Sequence, residues 1–507
     1  MKSLEKVIAI LIFLLPLVVF GQYTPSTYDI REFGAIGDGK TLSTSFIQSA
    51  IDSCAAGGGG TVMIQNGEYL TGTLYMKSHV NLYISAGSKL LGSLDYADYA
   101  TDTYKQMYKQ ESKLDRCLIF AQNQHSFSIE GHGEIDGQGY KKDFPEYRPM
   151  LIRFMECSNI KMRDITLRNP ASWTTAWLYC ENIVVDGVYI HSQANGNGDG
   201  LDFDGCKNVR VSSCSFNTSD DCICLQASRP DKPCQDVVIT NCIFETKWGG
   251  IRIGLLSRGD FESVTVSNCI FKNIRDSGLK IQMNEGGVMK NMVFSNLVMT
   301  NVPRPIFMTF CQQKACVDAP EEMAPMREMG SMVFDGIMVD NSMTDKNSVI
   351  FLSGMPGNPI THIMLSNIQM VNGGGGNKAD ASKRKFNEYT LETLDGWWPE
   401  FYGVGTLSAY GIYARHIDGL SLNNISIRTA AKDLRPALVL EDVSHVDVNN
   451  IKIWGNQEAE SAIRFIDVQK AHVSSCKSYG GISSFLQIEG KDSKAIHISD
   501  NNNEISP

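Results

Sequence analysis

Hydrophobic and polar residues alternate in short runs along most of the chain, and these runs recur as one phrase. Successive copies begin at residues 157, 180, 206, 234, 261 and 289, at intervals of 23 to 28 residues. Within a copy such as CSNIKMRDITLRN, apolar residues at every second position stop at a polar turn and then resume. Such alternation is typical of strands with one buried face. Each copy therefore predicts two short strands on either side of a turn.

The period of these copies predicts a solenoid in which each repeat forms one coil. No helical pattern lies between the strands, which excludes leucine-rich and helical repeats, and the copies are too short for a four-stranded propeller blade. The predicted fold is all-β, a right-handed parallel β-helix whose coils stack about 4.8 Å apart. Residues at equivalent places then stack on one another, and Asn268, Asn296, Asn367 and Asn424 fall in equivalent turns.

Two segments depart from the repeat. Residues 44–55 place Phe46, Ile47 and Ile51 on helical spacing, which predicts a short N-terminal helix that caps the open end of the solenoid. Residues 374–412 lose the alternation and form a long excursion, and such loops often carry function. We expect a single β-helix domain over residues 22–507.

The first 21 residues have the layout of a signal peptide. Lys2 and Lys6 precede an apolar run over residues 7–20 that ends at Gly21. This run is too short to cross a bilayer comfortably. We expect cleavage near Gly21 and a soluble, secreted or periplasmic protein with no membrane span afterwards; an uncleaved anchor is the alternative.

Composition narrows the class of partner. The chain has 507 residues, is 43% hydrophobic and carries a net charge of −10 without a basic run, so neither nucleic acid nor an anionic membrane surface is expected. Its 14 cysteines are sparse and suit packing positions, although Cys311 and Cys316 are near enough to close a small loop. Scattered histidines and the lack of paired C-x-x-C units predict no metal and no cofactor. A solenoid of this kind is expected to be a monomer.

Five aspartates form two clusters in the stretch from residue 195 to residue 227. Asp199, Asp202 and Asp204 make the first, and Asp220 and Asp221 make the second. The 21 residues between Asp199 and Asp220 are close to one coil, so Asp199, Asp220 and Asp221 are predicted to share one wall. Two adjacent acids that both face outward must lie at a turn or a bulge. Asp202 and Asp204 are assigned to the turn or to orienting their neighbours.

Crowded carboxylates suit a particular chemistry. Their repulsion raises the pKa of one of them, and a protonated acid beside an ionised one is what hydrolysis of a glycosidic bond needs. Two alternatives stay open at this point: solvated turn residues without a function, and a site for a divalent cation.

Five phrases carry a resemblance to a known family. They are FGAIGDGKT at 33–41, IEGHGEIDGQG at 129–139, NGDGLD at 197–202, SDDCI at 219–223 and WGGIRIG at 248–254. Together and in this order they resemble glycoside hydrolase family 28, the polygalacturonase family, from about residue 33 to residue 282. The resemblance implies a right-handed parallel β-helix that hydrolyses O-glycosyl bonds of a polysaccharide or oligosaccharide.

The same resemblance implies roles for three aspartates. The family's Asn-Thr-Asp motif falls on Asn197, Gly198 and Asp199, and its paired aspartates fall on Asp220 and Asp221. Asp220 is then the general acid, whereas Asp199 and Asp221 activate water, and the anomeric configuration is inverted.

The chain departs from the family in two motifs. Gly-His-Gly falls on residues 248–250, so Gly249 replaces the histidine. The family's Arg-Ile-Lys motif, which holds a uronate carboxylate, falls on residues 280–282. Lys280 replaces the arginine, and the neutral Gln282 replaces the lysine. Anion binding there should be weaker, unless Arg252 faces the cleft and restores a charge; an outward, solvated Arg252 is the alternative. These departures favour a branched pectic fragment such as rhamnogalacturonan, or a neutral sugar at that subsite, over plain polygalacturonan.

Aromatic residues supply candidate sugar platforms. Trp173 and Trp177 precede the acidic coils, and Trp397 and Trp398 lie in the excursion, where they either bind sugar or fill gaps in the wall. His416 is a candidate to replace the missing histidine. We expect the neighbouring residues Tyr410, Tyr413 and Arg415 to be structural.

Two other functions compete with hydrolysis. A polysaccharide lyase on the same fold would hold Ca²⁺ with Asp199, Asp202 and Asp204 and use Lys280 or Arg252 as its base. A glycan-binding solenoid without catalysis is the other, and the missing histidine is the main argument for it.

Overall fold

The protein folds into one long stack of parallel coils. The computed structural model describes residues 26–103, 105–109, 116–322, 324–395 and 398–503. The described residues form 39 strands, and every pairing between these strands is parallel. The all-β, right-handed parallel β-helix is confirmed. The predicted signal peptide, residues 1–21, lies outside the described residues.

Each coil contributes strands to three walls. The strands confined to the first wall are Thr27–Asp29, Gly60–Ile64, Val80–Ile84, His125–Glu130, Ser158–Arg163, Glu181–Asp186, Lys207–Ser212, Cys234–Thr240, Gln469–Ser474 and Lys494–Ser499. Those of the second wall are Asp38–Leu42, Glu68–Thr71, Lys89–Gly92, Glu134–Asp136, Thr166–Arg168, Tyr189–Ser192, Ser215–Thr218, Ile243–Thr246, Lys452–Trp454, Lys477–Tyr479 and Asn502–Asn503.

The third wall carries the candidate site. Its strands are Leu74–Tyr75, Cys117–Gln122, Met150–Met155, Thr175–Leu178, Leu201–Asp204, Ile223–Ala227, Ile251–Ser257, Ser277–Met283, Arg304–Phe310, Ile350–Ser353, Ile463–Ile466 and Leu486–Glu489. Six longer strands bend across more than one wall: Phe261–Ile274, Met289–Thr300, Gly330–Asn341, Ile360–Asn372, Ile412–Thr429 and Leu438–Asn449.

The alternating pattern directs one face of every strand into the interior. In Ser158–Arg163, for example, Ile160 and Met162 are buried while their neighbours face solvent. Because successive coils are in register, like side chains stack. One interior column of the third wall stacks the rings of Phe154, Trp177 and Phe203, with centroids 5.0 and 5.7 Å apart at successive steps. Trp177 is therefore a core residue, and its prediction as a sugar platform is wrong.

Polar and sulfur-containing residues stack at the turns. All 14 cysteines are buried and free, including Cys311 and Cys316, so the suggested small disulfide loop is absent. The predicted asparagine turns are confirmed, and each of the four asparagines has a φ between 52° and 56°. Their side chains bond to the neighbouring coil, as Asn296 Nδ2 does to Asn268 Oδ1 at 3.3 Å and Asn424 Nδ2 to Asn367 Oδ1 at 2.7 Å.

The N-terminal helix covers the first coils. It spans Thr44–Ala56 and buries Ile47 and Ile51 against the opening strands, as predicted. Phe46, the third residue on this helical spacing, is 36% exposed. The other helices are short: two α-helices, Lys378–Ala381 and Leu391–Leu394, and four 3-10 helices, Ile30–Phe33, Tyr96–Asp98, Thr101–Thr103 and Phe401–Gly403. Within the described ranges, no helix is long and apolar enough to span a bilayer.

The excursion packs on the third wall. It leaves the coil after Asn372, which ends one strand, and rejoins it at Ile412, which begins the next. Its side chains Tyr389, Leu394 and Phe401 share an apolar cluster with Phe307 and Phe351 of the wall. This cluster fixes the excursion beside the acidic turns.

Candidate active site

One outward-facing column of the third wall carries the charges of the site. Register pairs Asp202 with Cys224, Cys224 with Arg252, and Arg252 with Lys280 in successive coils. All four side chains are buried or nearly so, and Glu400 of the excursion lies against Arg252 and Lys280. A structure of stacked coils thus brings together residues that are up to 78 positions apart between Asp202 and Lys280.

The three predicted catalytic aspartates lie just before two adjacent strands of this wall. Asp199 precedes Leu201–Asp204, while Asp220 and Asp221 occupy the bend before Ile223–Ala227. The amide of Gly200 donates to the carbonyl of Asp221 at 2.9 Å, which locks one turn above the other. Asp199 is therefore level with Asp221, and the step between coils here is 22 residues, as shown by the pairing of Leu201 with Ile223.

The three carboxylates converge. One oxygen of each of Asp199, Asp220 and Asp221 lies within 4.8 Å of the others. The thiol of Cys224 is 3.8 Å from Asp199 Oδ2 and from Asp221 Oδ2, beneath the pair. Hydroxyls of Thr218 and Thr246 donate to the Asp220 carbonyl at 2.6 and 2.5 Å and fix the bend.

Asp220 differs from its neighbours in exposure and in acidity. It is partly exposed to the cleft, whereas Asp199 and Asp221 are 6% and 1% exposed. The loss of surrounding water, followed by the charge of Asp221, raises the pKa of Asp220 to about 7. Asp220 can therefore hold a proton near neutral pH beside two other carboxyl groups.

Gly249, in place of the family histidine, is packed against this trio. A Cβ atom added to Gly249 would overlap Asp221 Oδ1. A histidine could not occupy this position unless Asp221 moved. The candidate substitute His416 does not line the cleft, since its ring is held by Asp442 Oδ2 at 2.7 Å and Glu388 Oε1 at 3.1 Å. The suggestion that His416 replaces the missing histidine is wrong.

Of the two cations in the column, Arg252 lines the cleft and Lys280 is completely buried, and both are already engaged in ion pairs. Arg252 Nη1 lies 3.3 Å from Asp221 Oδ2, and its Nη2 lies 3.4 Å from Glu400 Oε1. Lys280 Nζ lies 2.5 Å from Glu400 Oε2 and 2.9 Å from Asp276 Oδ2. Burial lowers the pKa of Lys280, but the charges of Asp276 and Glu400 outweigh burial and leave it above its ordinary value. The solvated alternative for Arg252 is thus excluded.

Gln282 faces the excursion instead of an open subsite. Its Nε2 donates to the carbonyl of Pro399 at 2.6 Å, and its Oε1 accepts from Arg252 Nε at 3.1 Å. Gln282 is completely buried.

The predicted calcium ligands are not brought together. Asp204 accepts hydrogen bonds from Ser228 N at 2.7 Å and Ser228 Oγ at 2.5 Å, away from Asp199. Asp202 and Asp204 belong to a strand, so their assignment to a turn is wrong, but Asp204 does orient a neighbour. Asp199 and Asp202 group with Cys224, and a thiol suits Ca²⁺ poorly because this ion takes six to eight oxygen ligands.

Aromatic residues close the cleft. Trp173 and Trp398 flank Tyr108, with ring centroids 5.7 Å from it on each side, and Trp248 lies opposite. Trp397 lies outside the described residues. Tyr410, Tyr413 and Arg415 are buried in the wall, and Arg415 donates to the carbonyls of residues 386 and 387, which fits their predicted structural role.

Sequence reasoning did not find Tyr108, Asp276 or Glu400. Glu400 is separated from Lys280 by 120 residues, and no repeat relates the two. The only available signal was an acid directly after Trp398 and Pro399 in a segment already marked as functional.

This fold and its converging carboxylates define a glycoside hydrolase built on a β-helix. The chain belongs to glycosyl hydrolases family 28, whose model matches residues 54–389, and it is a polygalacturonase-like enzyme of that family.

Relatives and solved structures agree with this membership. An exo-poly-alpha-D-galacturonosidase of Dickeya chrysanthemi is 27% identical in an alignment 439 residues long, which covers 73% of this chain and 71% of that protein. A probable polygalacturonase of Vitis vinifera is 26% identical in an alignment 362 residues long, which covers 66% of this chain and 72% of that one. The family 28 exopolygalacturonase of Yersinia enterocolitica shares the fold with a TM-score of 0.65, at 22% identity over 85% of this chain and 78% of that chain.

Proposed function

We propose that the protein hydrolyses glycosidic bonds of a pectic or related polysaccharide with inversion at the anomeric carbon. The observation that carries this proposal is a partly exposed Asp220, with a pKa of about 7, beside the buried carboxylates Asp199 and Asp221. A protonated acid next to ionised carboxylates supplies both proton donor and base.

In the proposed reaction Asp220 gives its proton to the leaving glycosidic oxygen as the bond to the anomeric carbon breaks. Asp199 and Asp221 orient a water molecule and take its proton while its oxygen bonds to that carbon. Arg252 Nη1, 3.3 Å from Asp221 Oδ2, holds this carboxylate in position. Solvent then returns a proton to Asp220 and accepts the proton that Asp199 and Asp221 took from the water.

The spacing of the acids does not by itself select inversion. Inverting enzymes usually separate their two carboxyl groups by roughly 6.5–9.5 Å, whereas the nearest oxygens here lie within 4.8 Å of one another. The proposal of inversion rests on the family's pattern at Asn197, Asp199, Asp220 and Asp221 and on two carboxylates being available for one water.

The substrate is proposed to be branched or to present a neutral sugar at one subsite, as in rhamnogalacturonan. The relatives named above are polygalacturonases, so a galacturonate-containing chain is the starting expectation. Lys280 and Arg252 are nevertheless paired with carboxylates of the protein itself, which leaves less positive charge for a uronate.

The lyase alternative has weaker support. Its base would have to be Lys280 or Arg252, and both are ion-paired with carboxylates that favour their protonated forms. Its calcium ligands would include Asp204, which is occupied by Ser228. Export, a single domain and a monomeric state remain part of the proposal on the grounds given from the sequence.

Digestion of defined glycans tests the proposed function. Mature protein is incubated with polygalacturonan, rhamnogalacturonan and neutral oligosaccharides, and the products are identified by mass spectrometry, with Asp220→Asn and the surface variant Asp447→Asn in parallel. We expect saturated products from protein with intact Asp220 and a loss of about 10²–10⁴-fold in rate in the Asp220→Asn protein. Unsaturated products would establish a lyase, and binding without any cleavage would establish a non-catalytic solenoid.

A further inference from the structure

The excursion inserts a carboxylate into the cleft beside the catalytic aspartates. Glu400 is 1% exposed, and its two oxygens face Lys280 Nζ at 2.5 Å and Arg252 Nη2 at 3.4 Å. A carboxylate shared between a lysine and an arginine is the arrangement in which a protein holds an acidic ligand. Here the chain itself supplies that carboxylate.

Several contacts hold Glu400 in this place. Tyr389 Oη donates to the Glu400 carbonyl at 3.0 Å, and Gln282 Nε2 donates to the preceding carbonyl of Pro399 at 2.6 Å. On its other side, Phe401 packs edge to face against Phe307 and Phe351, with centroids 5.9 and 6.0 Å away. Glu400 is thus anchored before and after its own position.

The charge of this corner of the cleft is already balanced. Lys280 also meets Asp276 at 2.9 Å, and Arg252 also meets Asp221 at 3.3 Å. Arg304 Nη2 meets the other oxygen of Asp276 at 3.0 Å, so three cations are matched by three carboxylates. A further carboxylate from a ligand would add an uncompensated negative charge to this corner. A neutral sugar, which needs only hydrogen bonds and an apolar face, meets no such penalty.

We propose that Glu400 is a specificity-determining residue, which occupies the cationic corner formed by Lys280 and Arg252 and restricts the adjoining subsite to a sugar without a carboxylate. This inference rests on the proposed hydrolysis of a glycan and names the class of sugar that the cleft accepts next to the cleavage point. Removal of Glu400 opens both the space and the charge for a uronate.

Two variants separate space from charge. Glu400→Ala removes the carboxylate and leaves room for one from the substrate, whereas Glu400→Gln removes the charge and keeps the volume. Glu392→Gln, an exposed change in the same excursion, is the matched control.

The substrates form a matched pair as well: a galacturonate oligosaccharide and the same oligosaccharide with its carboxyl groups reduced to alcohols. The measured quantity is the ratio of kcat/KM for the acidic substrate to kcat/KM for the neutral one. We expect the unchanged protein and the Glu392→Gln protein to favour the neutral substrate. Glu400→Ala should raise the ratio at least tenfold, and Glu400→Gln should raise it less.

A binding measurement separates this inference from the proposed function. Calorimetry with the same two oligosaccharides, in proteins that also carry Asp220→Asn, reports the subsite without any cleavage. The same rise in relative affinity for the acidic partner is expected in Glu400→Ala. If the glycans bind with this shift but are never cleaved, the proposed hydrolysis fails and the specificity of the subsite stands.

Three results would overturn the inference. The first is a ratio of kcat/KM values in folded Glu400→Ala protein that stays within twofold of the ratio in the unchanged protein. If the alanine variant does not fold, the same result in Glu400→Gln decides. Another is an unchanged protein that already favours the acidic oligosaccharide by tenfold or more. The third is the absence of binding to either oligosaccharide.

Discussion

Three aspartates with similar sequence surroundings differ because the wall exposes them differently. Asp199 and Asp221 lie level in adjacent coils and are buried, whereas Asp220 projects from the bend toward the cleft. The same desolvation that makes Asp220 costly to ionise prepares it to donate a proton.

The acidity of Asp220 sets an upper pH limit on activity. Its pKa is raised to about 7, and the acid must be protonated to act, so kcat/KM should fall about tenfold per pH unit above that value. The residual activity of the Asp220→Asn protein should not show this fall at alkaline pH. A pH–rate profile between pH 5 and about 9 measures both. Full activity maintained to the alkaline end would contradict the assignment.

The same shift affects stability with a defined sign. Asp220 binds its proton more tightly in the folded state than in the unfolded state, where its pKa is about 3.9. The folded protein therefore loses stability as the pH rises from about 4 through about 7. Above this range Asp220→Asn should raise the free energy of unfolding by roughly 1–3 kcal/mol. Urea titration at acidic and at alkaline pH, with Asp447→Asn as control, measures this increase in the free energy of unfolding. An increase of the same size at both pH values would contradict the prediction.

Gly249 gives a second test at a single residue. A methyl group at this position overlaps Asp221 Oδ1, so Gly249→Ala should displace Asp221 and reduce kcat at least tenfold. Gly403→Ala, where the added Cβ meets nothing within 4 Å, is the control and should keep full activity. Circular dichroism verifies that both variants fold. An unimpaired Gly249→Ala protein would show that Asp221 does not need its present position.

At the scale of elements, the excursion and the third wall form the cleft together. The wall supplies the aspartates and the cations, and the excursion supplies Trp398 and Glu400. The two are joined mainly by the aromatic cluster around Phe401, which is 4% exposed.

Phe401 should therefore control the order of the excursion more than the stability of the solenoid. Phe401→Ala removes packing worth about 3–5 kcal/mol at a buried site, and local opening should absorb most of it. Hydrogen exchange of residues 398–411 should accelerate, while the coils keep their protection. Tyr402→Ala, at a neighbouring residue that is 62% exposed, is the control. Uniform loss of protection along the whole chain would contradict this division.

The repeat explains which parts of the site could be predicted from the sequence. A period near one coil made Asp199, Asp220 and Asp221 neighbours, because register converts sequence spacing into distance. The same logic also places Arg252 under Lys280. The excursion has no period, so nothing in the sequence related Glu400 to Lys280. Trp177 was assigned wrongly because its place before the acidic coils does not show whether its ring faces the interior or the cleft.

At the scale of the whole molecule, stability comes from repetition and not from crosslinks. Every coil adds the same stacked apolar, aromatic and asparagine columns to its neighbour. The cysteines belong to these columns: Cys157, Cys180, Cys206 and Cys234 are all buried at the start of first-wall strands.

The thiols should be unreactive until the solenoid unfolds. All 14 are free and buried, and burial raises the pKa of Cys117, for example, to about 11. A thiol reagent should therefore label almost none of them in the native protein and all 14 in denaturant. A reducing agent should leave the melting temperature unchanged. Two fewer reactive thiols than this after unfolding would indicate a disulfide and contradict this account.

The stereochemistry of the first product tests the central claim most directly. Proton NMR during the first minutes of hydrolysis, before mutarotation, distinguishes the two anomers at the new reducing end. Water activated by Asp199 and Asp221 while Asp220 protonates the leaving oxygen predicts the anomer opposite to the linkage that was cleaved. An initial product of retained configuration would instead place one of these aspartates as a nucleophile and contradict the mechanism.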